Sequence, residues 1–371
     1  MSSFKLSTEI RYYNQLPEFI QEFSVTKDDL IITNEVIYDN SFKLYGTDWN
    51  VLFQEAYGLG EPNDKMINKL IADAQKKKYN RIIAVGGGTV IDIGKLLSLQ
   101  GVDDVLDVLY GKVPIKKGKT LIVLPTTCGT GSEVTNISIL EDTTNKVKKG
   151  IVHQYLFPDF AVLVPELLKG LPFKFFAFSS VDALIHAIES YLAPKSNPMT
   201  ELFGVKAMEL IINTYKDVAE KGQQAAYENI GKVLLASTYA GIAFGNTGVG
   251  AVHALSYPLG GKYHVAHGEA NYAFFDAVMK KYDEVNPTGK ITQIKEIIAG
   301  ILDLPAGGNA FAELNVLINK LVPRKPLREY GMKADDLAPF TKNAMEQERL
   351  MINNYVPFTA DDVLKIYKDL Y

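Results

Sequence analysis

The chain has 371 residues, with 39 basic and 43 acidic side chains for a formal net charge of −4. That slight acidic balance gives no reason to expect nucleic acid or an anionic membrane surface as partner. The length suggests two domains at the usual ~100–200 residues each, and 47% hydrophobic with 22% charged residues is ordinary globular composition. The single cysteine, Cys128, excludes an intramolecular disulfide. The N-terminus lacks a signal-peptide apolar core, and no apolar run reaches the ~18 residues of a membrane span. The expected location is the cytoplasm.

In chain order, Leu30-Ile31-Ile32-Thr33 reads as a buried strand ending in Asn34-Glu35, and Val51-Leu52-Phe53 as a second strand. The Gly, Pro and Asn content of Tyr57 to Asp64 marks a loop. Asn63 or Asp64 is placed to cap a helix from Met66 to Lys78. Arg81 to Val85 reads as a fully buried parallel strand. This alternation predicts an α/β domain with a mainly parallel sheet.

Gly86-Gly87-Gly88-Thr89 follows that strand directly and leads into a predicted helix, Val90 to Leu99. Glycines let the backbone turn sharply and approach a ligand, and the helix N-terminus offers free N–H groups to a phosphate. The third glycine of the ordinary dinucleotide fingerprint is absent, since position 91 is Ile. A tight turn without a ligand is the alternative. A second such loop, Pro125 to Glu133, follows the predicted strand Leu121 to Leu124. Its hydroxyl residues among glycines suit phosphate or ribose oxygens. Two loops at the ends of neighbouring parallel strands would share one crevice. Cys128 lies in the second loop with no base beside it in sequence, and reads as a small filler. His153, in the predicted strand Gly150 to His153, has no assigned role.

After about residue 173 the pattern is helical, with no convincing strand. The window Ser179 to Ala193 is apolar enough for a buried helix, yet it carries Asp182 and His186. Four residues apart, they share one helix face. Burying such groups alone costs several kcal/mol or more, so they need a partner. Three of the five histidines lie close together further on: His253, His264 and His267. One Asp with two or three His suits iron or zinc; an Asp–His hydrogen bond between packed helices is the other reading.

These segments resemble those of the iron-containing (group III) alcohol dehydrogenase family. Gly86 to Lys95 resembles its GGGS-x-x-D-x-x-K loop, Pro125 to Glu133 its PTT-x-GTGSE loop, and Asp182 to Glu189 its DAL-x-HA-x-E helix. Gly245 to Leu255 and His267-Gly268 resemble its remaining metal segments. The resemblance implies an α/β dinucleotide-binding domain over residues 1–173 and an all-α metal-binding domain over 174–371, the dehydroquinate synthase-like architecture, with a cleft between them. It implies that Asp182, His186, His253 and His267 hold Fe²⁺, or Zn²⁺. It implies that Gly87, Gly88 and Thr89 contact the pyrophosphate with Asp92 bracing the loop, and that Thr126, Thr127 and Thr130 line the cofactor cleft. Asn63 and Lys149 match positions that touch the nucleotide. A homo-oligomer, a dimer, is also implied.

The implied activity is hydride transfer between a small alcohol and a nicotinamide cofactor. Phe53 to Glu55, Tyr57 to Pro62, Ala254 to Pro258, Tyr263 to Tyr272 and Arg324 to Met332 most resemble members that interconvert a short ω-hydroxy acid and its semialdehyde. Two departures stand out. Where many members carry a proton-relaying His four residues after His253, this chain has Tyr257, making His264 the candidate replacement and Tyr257 a candidate for orienting substrate. Asn34 stands where NAD-preferring members carry an acid; Glu35 is adjacent, and no Lys or Arg precedes Lys43 to meet a 2′-phosphate, so NAD is expected over NADP. Lys262, between His253 and His267, and the cluster Arg324, Lys325, Arg328 are candidates for the substrate carboxylate. Related metal-dependent cyclases and glycerol-phosphate dehydrogenases share the architecture and are the competing enzymes; a non-catalytic nucleotide-binding protein would not need all four metal residues.

Overall fold

The computed structural model describes residues 3–371. It divides into two compact units. The first, Leu6–Leu171, is built on a six-stranded parallel sheet. Its strands are β1 (Glu9–Tyr12), β2 (Asp29–Thr33), β3 (Asn50–Phe53), β4 (Arg81–Gly86), β5 (Thr120–Pro125) and β8 (Phe160–Leu163), in spatial order β1-β8-β5-β4-β2-β3. β6 (Ile137–Asp142) and β7 (Val147–Val152) form a separate antiparallel hairpin. The helices are α1 (Leu16–Glu22), α2 (Glu35–Asp39), α3 (Asp64–Gln75), α4 (Gly88–Leu97) and α5 (Val105–Leu109).

The sheet is buried on both faces because its central strands are continuous apolar runs. Ile31, Ile83, Val85, Ile122 and Leu124 point to the side of α1 and pack with Leu16 and Phe19. The alternate residues face α4: a Cβ on Gly94 would lie 2.7 Å from that of Ala84 and 3.3 Å from Leu121 Cδ1, so this glycine permits close helix–sheet packing. From β2 the chain moves outward to β3, then returns across β2 to β4. The order therefore reverses between β2 and β4, the position where open α/β sheets bind ligands beyond the strand ends.

The second unit, Pro172–Tyr371, has no strand among its described residues. Its helices are α6 (Phe173–Leu192), α7 (Pro198–Lys221), α8 (Gln224–Glu228), α9 (Ile230–Thr247), α10 (Ala251–Tyr263), α11 (His267–Val285), α12 (Lys290–Ile301), α13 (Ala310–Leu321), α14 (Leu337–Met345), α15 (Glu348–Met351) and α16 (Ala360–Leu370). Phe4 and Lys5 join this unit through a ring stack on Phe203 and a backbone bond to Asn246. α6 is apolar all round, and every residue from Phe176 to Leu192 except Ser179 is buried, as expected of a central helix. It packs against α7, α9 and α11. No helix among the described residues is long and apolar enough to cross a membrane.

Candidate active site

In the N-terminal unit, β4 ends at Gly86 and α4 begins at Gly88, with Gly87 as the extended N-cap. A Cβ on Gly87 would meet Thr127 Cγ2 at 3.3 Å, and one on Gly88 would meet Thr130 Cγ2 at 2.9 Å. The two loops thus pack against each other, and only glycine fits that approach at position 88. Thr126 N–H donates to the Gly86 carbonyl at 3.0 Å, and Thr89 Oγ1 donates to that of Gly60 at 3.3 Å. The first N–H groups of α4 point out of the strand ends, as an anion-binding turn requires.

Asp92 lies one turn into α4 and accepts from Ser132 Oγ at 2.5 Å and Ile139 N–H at 2.8 Å. Lys95, fully buried, donates to Ser132 Oγ at 2.6 Å and the Ile137 carbonyl at 2.6 Å, with Asp92 Oδ1 at 3.3 Å. Burial pulls the Lys95 pKa down, with Asp92 opposing it. This network fastens the glycine loop's helix to the hydroxyl loop and the hairpin. Cys128 is buried within the second loop.

Asn63 caps α3, its Oδ1 accepting from Met66 N–H at 2.9 Å. Lys149 is on β7 with its ammonium 4.9 Å from the Tyr110 ring centroid. Asn34 and Glu35 follow β2; the Asn34 amide donates to Gln54 and Glu55, and Glu35 N–H donates to Glu55. His153 caps a short turn, its Nδ1 accepting from Tyr155 N–H.

In the helical unit, Asp182, His186, His253 and His267 converge, with one donor atom from each lying within 4.8 Å of the others. Asp182 Oδ1 is 3.8 Å from His186 Nε2, 3.6 Å from His253 Nε2 and 3.7 Å from His267 Nε2. Donors held about 2.0–2.2 Å from one tetrahedral ion lie about 3.4 Å apart. The spacings are therefore too long for hydrogen bonds and close to what a shared ion needs. α6 supplies the first pair one turn apart. α10 supplies His253, and the first residue of α11 supplies His267.

The orientation of His253 identifies what the cluster is built to hold. Its Nδ1 lies 2.6 Å from Glu189 Oε2, while Glu189 Oε1 accepts Val252 N–H at 2.8 Å. A proton on Nδ1 leaves Nε2 as a bare lone pair aimed at the cluster, buried and without a hydrogen-bond partner among the described residues. Carboxylate-supported imidazoles of this kind are the usual second layer of a metal site. The electrostatics agree. Burial by itself would lower the His253 pKa, yet Asp182 and Glu189 push it up to about 9. Burial would raise the Asp182 pKa, but the neighbouring imidazoles of His186, His267 and His253 hold it well below the carboxylate range. A pocket that draws positive charge this strongly accommodates a divalent cation in place of protons.

Sequence reasoning gave no role to three supporting residues. Glu189 lies three residues after His186 on the same face of α6, so the i, i+4, i+7 spacing from Asp182 could have revealed it. Asn271 repeats the spacing on α11, four residues after His267. Its Nδ2 donates to Asp182 Oδ1 at 2.7 Å and lies 3.3 Å from His267 Nε2. Ser256 Oγ donates to Asn271 Oδ1 at 2.5 Å, fixing which way the amide points. That contact joins α10 to α11, which only the fold brings together.

The remaining candidates are dispersed. The Tyr257 ring centroid is 6.2 Å from that of His267. His264 is exposed at the end of α10 in a left-handed conformation, φ 53°. The Lys262 side chain is 53% exposed and its ammonium pairs with Asp336, which also accepts from Tyr263. Arg324 pairs with Asp276, and Arg328 donates to the carbonyl of Tyr371.

Residues 8–165 match the family model for iron-containing alcohol dehydrogenase, and residues 176–371 match that for the C-terminal part of the Fe-containing alcohol dehydrogenase family. The chain is 53% identical to 4-hydroxybutyrate dehydrogenase of Clostridium kluyveri over the whole of both chains. It is 34% identical to long-chain-alcohol dehydrogenase 1 of Geobacillus thermodenitrificans, over 83% of this chain and 79% of that one. Among solved structures it superimposes on a 1,3-propanediol oxidoreductase with a TM-score of 0.87 at 23% identity, covering 100% of both chains. It also superimposes on sulfoacetaldehyde reductase from Bifidobacterium kashiwanohense in complex with NAD⁺, with a TM-score of 0.84 at 23% identity, covering 100% of this chain and 98% of that one. The parallel α/β unit and the helical unit are thus the two halves of a known architecture, and the chain belongs to the iron-containing alcohol dehydrogenase family.

Proposed function

We propose that this chain is a metal-dependent, NAD-linked dehydrogenase that interconverts 4-hydroxybutyrate and succinate semialdehyde. The observation that carries the metal chemistry is the four-residue cluster with its unsatisfied His253 Nε2; full-length identity to the Clostridium enzyme supports the substrate. A divalent metal held by this cluster would supply Lewis acidity toward an alcohol or carbonyl oxygen, and a bound nicotinamide would supply the hydride chemistry.

The chain's own residues provide the setting. Asp182, His186, His253 and His267 hold the cation, and Glu189 and Asn271 fix the ring and carboxylate orientations before it arrives. Gly87, Gly88 and Thr89 present the start of α4 to the pyrophosphate. Asp92 with Lys95 keeps that helix docked, and Thr126, Thr127 and Thr130 border the nucleotide with Asn63 and Lys149. Tyr257, beside His267, orients the substrate, and exposed His264 exchanges the reaction's proton with solvent.

A carboxylate moved out of water needs a cation. Lys262 supplies it: an ammonium has three N–H donors, and Asp336 anchors it while leaving others to offer. The reading includes a cytoplasmic homodimer, which light scattering on the purified protein would check.

The test combines metal analysis with NADH formation across 4-hydroxybutyrate and 1-butanol. Chelation should abolish turnover, and Fe²⁺ or Zn²⁺ should restore it. Full turnover by a metal-free preparation would defeat the metal assignment, and equal turnover of the acid and the alcohol would defeat the substrate assignment.

A further inference from the structure

A dinucleotide's ribose 2′-hydroxyl is ordinarily held by a carboxylate at a strand end. At the end of β2 this chain offers an amide, Asn34, and its orientation is dictated by its neighbours. Gln54 is buried, and its Nε2 donates to the Gly58 carbonyl at 2.7 Å, so its Oε1 turns toward Asn34. The Asn34 Nδ2 then donates to Gln54 Oε1 at 3.1 Å and Glu55 Oε2 at 2.9 Å. Glu55 Oε1 accepts Glu35 N–H at 2.6 Å. The pairing of Thr33 with Phe53 in parallel strands sets these residues side by side. With both amide hydrogens committed, Asn34 has only its oxygen to offer a ligand, beside a carboxylate fixed at two points.

We propose that Glu55, held in place by Asn34, is the group that selects NAD over NADP in this chain. The acid has moved one strand across, from position 34 to position 55, and Asn34 is its positioning residue. Lys43, nearby in sequence, is paired with Asp39 at 2.8 Å. A 2′-phosphate arriving here meets a fixed carboxylate and an amide oxygen; a 2′-hydroxyl can donate to either. The amide and the acid are also a matched pair. An aspartate at 34 would set its carboxylate against that of Glu55 and the Gln54 oxygen, with no side-chain donor among the three.

The inference rests on the NAD reading above, and equilibrium binding tests the two separately. NADH and NADPH are titrated by fluorescence into wild type, Glu55→Gln, Asn34→Asp and the double variant. Wild type should prefer NADH. Glu55→Gln should shrink that preference at least about tenfold, chiefly by tightening NADPH, since juxtaposed like charges cost several kcal/mol. Asn34→Asp alone should weaken NADH. The double variant, with its acid at 34 facing an amide at 55, should recover both affinity and preference, showing that the single variants did not fail merely by misfolding. Retention of the wild-type NADH/NADPH ratio in Glu55→Gln would overturn the inference alone. A wild type with no NADH preference would overturn the NAD reading along with it.

Discussion

Replacing Gly268 with alanine tests whether the metal cluster depends on how closely two helices approach. A Cβ at this position would lie 2.0 Å from the Phe178 carbonyl oxygen, 2.8 Å from its carbon and 3.2 Å from Asp182 Cβ. The obstruction is backbone, so no side chain can swing aside. Restoring an ordinary separation of about 3.2 Å requires the start of α11 to withdraw by more than about 1 Å. His267 is the adjacent residue, and its Nε2 must stay 3.7 Å from Asp182 Oδ1. Metal–ligand distances tolerate only about ±0.2 Å. The variant should therefore lose His267 as a ligand and bind metal at least about 100-fold more weakly, about 2.7 kcal/mol. Overpacking should cost a further ~1–3 kcal/mol of stability. The assay is metal titration by calorimetry or competition with a chelator, alongside thermal unfolding. Gly300→Ala, in α12 with nothing near its added Cβ, is the control and should be neutral to slightly stabilising. Wild-type metal affinity and unfolding temperature in Gly268→Ala would refute the reasoning.

Glu189→Gln should weaken metal binding about 10–100-fold by loosening His253; unchanged affinity would show that Glu189 only links helices. Lys262→Met should lower kcat/KM for 4-hydroxybutyrate roughly 10–150-fold, the loss of a charge-assisted bond of ~1.5–3 kcal/mol, while 1-butanol hardly changes. Equal losses on both substrates would remove Lys262 from carboxylate recognition. Lys95→Met should destabilise by about 3–5 kcal/mol in denaturant titrations, because Asp92 would keep a buried charge without its counter-ion; a midpoint within error of wild type would contradict this. Burial alone would raise the Asp336 pKa, but Lys262, Tyr263 and the Lys333 N–H together hold it down to about 2 from 3.8. The lowered folded-state value means its stabilisation is complete above about 3.8 and is lost as pH falls toward 2. Asp336→Asn should thus melt earlier than wild type at pH 7, with the gap closing across that window. A gap independent of pH would assign the effect to something other than the charge.

The central strands were legible because a strand buried on both faces must be continuously apolar, as β2, β4 and β5 are. β1 was not: Glu-Ile-Arg-Tyr is an exposed edge strand that takes its partner, β8, from far along the chain. The hairpin β6–β7 is one-third charged and carries little periodic signal. α3 ends at Gln75 rather than Lys78 because no apolar residue follows to keep the last turn packed. In the metal cluster, the residues sharing α6 could be read from helical spacing. His253 and His267 were named from their closeness in the sequence and from the family resemblance, but the support of His267 by Asn271 and Ser256 required knowing that α10 and α11 fold back on each other. At the end of β2 the sequence pointed to Glu35, the next acid along. The structure places Glu55 there as well, because parallel pairing makes position 55 a closer neighbour of Asn34 than sequence distance suggests.

The Asp92–Lys95 network also constrains how the N-terminal unit assembles. Asp92 lies midway along α4 and Lys95 in its last turn, but their partners are Ser132, Ile137 and Ile139, 37 to 47 residues further along. Until that stretch has folded against α4, docking the helix would bury a carboxylate and an ammonium with only each other for company. The helix can coil early from local bonds, yet its final seat must wait for a long loop to close. On refolding, the Ile139 amide and the inner turns of α4 should gain hydrogen-exchange protection in one step, after the amides of β2 and β4. The glycine turn ahead of α4 would then be among the last parts of the sheet's surroundings to become rigid.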